Sequence, residues 1–162
     1  MFTSKSKGQS GFTLIELLIV IAIIAILAAV VFVALDPLSR FQDSRDSQRW
    51  SDVSAVVSAI KTDQVDNGGD YLTEIEDLDA NAAYVIGGCD SGATCSSAPT
   101  TTQDDCVDLG GLVDEGYLGS VPVDPSDGTA EETGYYIIRR DTGLVEVGAC
   151  SPEGTGEIKV SN

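Results

Sequence analysis

The sequence predicts an α+β protein: a long N-terminal helix, membrane-spanning over its first half, packed on a small antiparallel-sheet globular domain. Three observations predict it. Residues 17–35 run without a polar side chain, and a helix of that length rises about 29 Å, roughly the thickness of a bilayer's hydrocarbon core. From Trp50 to Ile60 the apolar residues Trp50, Val53, Val56, Val57 and Ile60 recur at three- and four-residue steps, the stripe of a helix with one buried face. Beyond Asn67, turn residues separate short runs rich in β-branched and aromatic side chains.

Taken in order, residues 1–11 form a polar leader whose Lys5 and Lys7 hold the N-terminus on the cytoplasmic side, so that the C-terminal part is exported. The apolar run that follows is longer than that of a secretory signal, and no Ala-x-Ala cleavage site follows it; a small residue, Gly11, precedes it instead. Glu16 stands at the mouth of the run, where a carboxylate is costly enough to need a partner.

Gly11-Phe12-Thr13-Leu14-Ile15-Glu16 resembles the G-F-x-x-x-E processing signal of the type IV prepilin and type II secretion pseudopilin superfamily. The resemblance implies a pilin-like fold. It also implies cleavage by a membrane-bound prepilin peptidase between Gly11 and Phe12, N-methylation of Phe12, and a pairing of Glu16 with the amino terminus of a neighbouring subunit. Cleavage on the cytoplasmic side leaves the helix on the mature protein, and with Lys5 and Lys7 removed that chain is still more acidic than the precursor.

The predicted organisation is a leader at 1–11, a transmembrane half-helix at 12–35, an amphipathic half-helix at 36–67 and an exported globular domain at 68–162. Pro37 can bend or stop the helix, and Asn67-Gly68-Gly69 ends it. Arg45, Asp46, Arg49 and Asp52 read as a solvated or subunit-facing mixed-charge surface. In the globular part, residues 73–78 predict a helical turn, 82–86 a strand, 87–105 a loop of Gly, Ser, Thr and Asp, and 107–118 a short helix. Runs at 135–138, 144–147 and 158–160 predict an antiparallel meander, with Tyr135 facing inward and Tyr136 outward or the reverse. Val121-Pro122-Val123-Asp124-Pro125, ahead of that meander, is similar to the P-x-D-P element of pseudopilins.

Four cysteines, Cys89, Cys95, Cys106 and Cys150, lie in the exported part, where thiols pair. Three pairings are open. Cys89–Cys95 with Cys106–Cys150 is the preferred one, the first closing the loop and the second tying it to the terminal strands. The spacing lacks the paired Cys-x-x-Cys knuckles of a zinc site.

Chemistry is constrained by what is missing as well. The 162 residues contain no His, and 26 acidic residues against 9 basic ones give a formal charge of −17, which disfavours nucleic acid as a partner and removes His-based catalysis. No phosphate-cradling loop or nucleophile motif is present, and no enzymatic activity is expected. Cofactors are expected to be absent, calcium being the weak alternative: Asp124, Asp127 and Glu131 lie in one acidic loop, and the resemblance adds that major pseudopilins bind calcium near this region.

The resemblance therefore implies a structural subunit of a homo-oligomeric type IV pilus-like filament. Its partners would be prepilin peptidase and an inner-membrane assembly platform with its assembly ATPase. It would cross the cytoplasmic membrane once, with the assembled filament at the cell surface or in the periplasm. A type II secretion pseudopilin is the alternative, and a signal-anchored exported binding module the third reading.

Overall fold

A computed structural model describes residues 11–154 and 156–162, so that the leader apart from Gly11 lies outside the described residues. The chain divides into two compact units, one reaching Arg40 and one running from Phe41 to Asn162.

Helix α1, Leu14–Leu35, forms the first unit's described core element, and none of its residues is buried within the chain. It ends at Asp36, whose φ of 36° is left-handed, a conformation an Asp side chain tolerates better than most. Helix α2, Pro37–Asp66, begins with proline at its first position, where the absent N–H costs nothing.

The second unit is built on a five-stranded sheet of order β2-β1-β3-β4-β5, from β1 (Ala83–Ile86), β2 (Thr102–Val107), β3 (Tyr135–Arg139), β4 (Val145–Ala149) and β5 (Lys159–Ser161). The β3-β4-β5 meander is antiparallel as expected. The sheet as a whole is mixed, because β2 pairs parallel to β1. The predicted loop 87–105 holds the reason: fifteen residues between Ile86 and Thr102 form a crossover, the length a parallel pair requires. Strand β2, Thr-Gln-Asp-Asp-Cys-Val, lacks apolar alternation, and as a charged edge it discourages further strand pairing.

Val53, Val56, Val57 and Ile60 of α2 pack on one face of the sheet against Ile86, Tyr135, Ile137, Val145 and Val147. Short helices α3 (Thr73–Glu76) and α4 (Gly110–Asp114) add Ile75 and Leu112 to this core. Buried Asp63 accepts from Asn67 Nδ2 at 2.6 Å and from the Leu72 amide at 3.1 Å, which fastens the turn leaving α2. The opposite face carries Ala83, Val85, Tyr136 and Ile138 and is covered by Ala93 and Cys95 of the crossover. Tyr135 and Tyr136 do point to opposite faces, yet both are buried, because the crossover supplies a second layer. Tyr136 lies across its cross-strand partner Gly148, where an added Cβ would come within 2.5 Å of the tyrosine ring.

The disulfides are Cys89–Cys106 and Cys95–Cys150, which corrects the preferred pairing. Cys106 lies within β2 and Cys89 just past the end of β1, with the Cys106 amide donating to the Cys89 carbonyl. Cys95 is carried by the crossover over the sheet face to the end of β4, where Cys150 lies.

Candidate functional site

Two clusters hold the residues singled out by the sequence. The first is the head of α1. Thr13 caps the helix: the Glu16 amide donates to Thr13 Oγ1 at 3.3 Å, while the Thr13 amide and hydroxyl each donate to Glu16 Oε2 at 2.7 Å. This is a capping box, in which the threonine and the glutamate three residues on satisfy each other's backbone donors. Glu16 thus has a partner within its own chain, and both bonds it accepts fall on one oxygen. Behind it α1 is apolar on every side, with Phe12, Leu14 and Ile15 exposed along with the helix itself. A helix of 22 residues rises about 33 Å, sufficient to span a bilayer.

The second cluster lies in the other unit, around a charge where the sequence predicted a solvated surface. Arg49 is fully buried. Its Nε and Nη2 donate to Asp124 Oδ2 and Oδ1 at 2.6 and 2.8 Å, Nη2 also to Ser126 Oγ at 2.9 Å, and Nη1 to Asp46 Oδ1 at 2.7 Å and Glu153 Oε2 at 3.0 Å. Those five bonds match the five N–H groups of a guanidinium, so the desolvated charge is fully partnered. Arg45 forms a second fork on Glu153. Asp46 in turn accepts the amides of Glu153 and Gly154 at 3.1 and 2.6 Å, and Asp124 Oδ1 accepts the amide and hydroxyl of Ser126 at 2.9 and 2.6 Å. One turn on, the Tyr135 hydroxyl donates to Asp52 at 2.7 Å. Gly134, at φ 82°, lets the chain pass Asp124; an added Cβ would come within 2.6 Å of the aspartate's own.

The charges in this cluster shift one another. Burial acts to raise the Asp124 and Asp46 carboxyls, but the hydrogen bonds from Arg49, Ser126 and the 153–154 backbone outweigh it and hold both below the usual range. Glu153 is pulled down to about 2, first by Arg45 and then, against some desolvation, by Arg49. The bonds to Asp124, Asp46 and Glu153 raise Arg49 further despite its burial. Burial first, then Asp52, pushes the Tyr135 hydroxyl well above its ordinary value. The arrangement ties α2, the Asp124 turn and the C-terminal segment together; it presents no free base or nucleophile.

Compared with known proteins, the chain matches one family model, the prokaryotic N-terminal methylation motif, over residues 6–32. It carries the type IV prepilin-type signal. No curated protein and no solved structure gives a match.

The prepilin-type signal contains Gly11, Phe12 and Glu16 and most of α1, and with that helix it fits a membrane-anchored protein with an exported domain. The acidic residues considered for calcium are elsewhere. Asp124, Asp127 and Glu131 line one cleft of about 370 Å³ with Gly128, Thr129 and Glu132. Asp124 gives both oxygens to Arg49 and one of them also to Ser126. A cation on Asp124 would compete with the Arg49 guanidinium, and among the described residues no group of three or more acidic or cysteine side chains is placed to hold a metal ion.

The buried stripe of α2 passes through Arg49 and not through Trp50, where the sequence predicts it. Counting back from Ile60 through Val56 and Val53 by fours and threes reaches Arg49, and counting forward reaches Asp63; both are buried, while Trp50 is 46% exposed. The phase of the stripe was the available signal, and an arginine on it marks a partnered internal charge.

Proposed function

We propose that this protein is a structural subunit of a type IV pilus-like filament. Prepilin peptidase cuts between Gly11 and Phe12 and methylates the new amine, and an inner-membrane platform driven by its ATPase draws α1 out of lipid into a core of like helices. The observation that carries this reading is α1 itself: headed by the prepilin-type signal, it has no buried residue, so its whole apolar surface is left for lipid or for other copies. An added Cβ at Gly11 would meet nothing within 4 Å; the chain's own packing does not require glycine there, whereas a peptidase's recognition does. Glu16 Oε2 is held by Thr13, and Oε1 is assigned to the Phe12 amine of the next copy, a neutral pair that sets register between stacked helices. Repeated head-to-tail, such contacts generate an open helical filament.

Intact-mass and N-terminal analysis of protein from a membrane or sheared-surface fraction tests it. A chain beginning at methylated Phe12 is expected; one retaining residues 1–11 would overturn the proposal and leave a simple signal anchor. A type II secretion pseudopilin is the second reading, favoured by the Pro122-Val123-Asp124-Pro125 element whose Asp124 anchors Arg49. Deletion separates them: loss of surface fibres supports the pilus, loss of exoprotein export the pseudopilus.

A further inference from the structure

The two disulfides interleave. Cys95 lies inside the loop closed by Cys89–Cys106, while its partner Cys150 lies outside it, the pairs being 17 and 55 residues apart in sequence. Export runs from the N-terminal anchor outward, so Cys89, Cys95 and Cys106 emerge together and Cys150 follows 44 residues later. The thiol that Cys89 meets first is Cys95, six residues away. By loop-closure entropy, a six-residue loop is favoured about fivefold over a 17-residue loop and roughly thirtyfold over a 55-residue one.

The fold opposes that bias only late. Cys89 and Cys106 are brought together by β1–β2 pairing, but β2 is a polar edge strand, and the other neighbour of β1, strand β3, begins at Tyr135. Cys150 sits just past the end of β4, held through its amide to the Gly134 carbonyl at 2.8 Å. The template for the native pairing is therefore complete only when the whole domain has been exported. Once formed, Cys95–Cys150 is buried, with 7% and 5% exposure, and is closed to further exchange.

We infer that this protein is a substrate of a disulfide isomerase in the exported compartment, a dithiol enzyme that re-pairs Cys89 with Cys106 and Cys95 with Cys150. A thiol oxidase first removes two electrons and two protons for each disulfide, leaving Cys89–Cys95 and Cys106–Cys150. The isomerase thiolate then attacks Cys150 and releases the Cys106 thiolate, which attacks Cys89 and releases Cys95. The Cys95 thiolate attacks Cys150 in the mixed disulfide and frees the enzyme. Each exchange forms one S–S bond and breaks one, with no net electron transfer. The inference rests on export of the domain alone, so its failure would leave the filament reading untouched.

The test uses the full chain, reduced in denaturant and returned to detergent micelles with oxidised glutathione, with or without a purified dithiol isomerase. Cleavage before Asp90 and Asp104 separates Cys89, Cys95 and Cys106, and mass spectrometry of the unreduced peptides reads the pairing. Oxidant alone is expected to give mainly Cys89–Cys95, and the isomerase to raise the native pairing at least fivefold. Native pairing formed equally fast and completely without the isomerase would overturn the inference, as would Cys89–Cys95 in protein from the native host. The Cys89→Ser/Cys106→Ser double variant has one possible intramolecular pair and should oxidise at the same rate with or without the enzyme. Dependence on the isomerase in that variant would point to a holding function instead and also overturn the inference.

Discussion

Helices α1 and α2 solve opposite problems. The first is apolar throughout beyond Glu16 and buries nothing within the chain; the second is mostly polar, yet carries a buried stripe with a charged residue at its head. In α1, hydrophobicity specifies surroundings outside the chain. In α2, burial is decided by helical phase, and a guanidinium is as deeply enclosed as Val53 or Ile60 because five acceptors meet it. Apolarity and burial are therefore separate properties in this molecule.

The largest effect that would break this contrast is expected at Arg49. Arg49→Ala leaves Asp124 buried without its counter-charge and should destabilise the globular unit by about 3–5 kcal/mol, read as a fall in thermal or urea midpoint. Arg49→Lys should recover only part, since an ammonium cannot make the fork on Asp124. A wild-type midpoint in the alanine variant would show that the network adds nothing to stability.

On the other helix, Ile24→Arg places a charge in the middle of α1. Membrane insertion should become less favourable by about 2.5–3.5 kcal/mol, seen as loss of protein from the membrane fraction while the globular unit keeps its midpoint. Equal losses from both variants in both assays would erase the distinction between the helices.

A third substitution probes the sheet's second face. Gly148→Val drives a side chain into the Tyr136 ring, and overpacking of this kind costs about 1–3 kcal/mol. Urea titration should show the loss, with the effect falling well below that of Arg49→Ala.

These residues also show what the sequence could and could not reveal. The apolar run, the prepilin-type signal, the stop after α2 and the β3-β4-β5 meander were legible, because each rests on local pattern: length, motif, turn chemistry or alternation. Strand β2 was not, since Thr-Gln-Asp-Asp-Cys-Val is a strand only by virtue of its neighbour β1 and the disulfide beside it. The cysteine pairing depended on where a fifteen-residue crossover folds, which spacing does not encode. Arg49 was hidden by a single step of helical phase, and its partners Asp124 and Glu153 lie 75 and 104 residues away.

Acid should weaken the globular unit more gradually. Asp46, Asp124 and Glu153 all have carboxyls depressed in the folded chain, so unfolding raises their proton affinity. Their contribution is complete above the unfolded value near pH 4 and is lost as pH falls toward the folded value, about 2 for Glu153. The thermal midpoint should be flat from pH 7 to 5 and decline below pH 4. In Arg49→Ala, where Asp124 loses its main source of depression and Asp46 and Glu153 each lose a lesser one, the decline should be shallower; an unchanged slope would mean that other carboxylates govern acid stability.

The smallest effect is expected from divalent cations. Calcium is the weak expectation for this loop, but Arg49 supplies positive charge to Asp124 from inside the fold, with both carboxylate oxygens engaged. Chelation or millimolar calcium should leave the thermal midpoint unchanged in the wild-type chain. Arg49→Ala frees Asp124 and makes the same cleft, lined also by Asp127, Glu131 and Glu132, more negative, so any calcium-dependent rise in midpoint should appear in that variant alone. A rise of similar size in the wild type would mean that the cation binds without displacing the guanidinium, and that Arg49 and calcium occupy separate places on the loop.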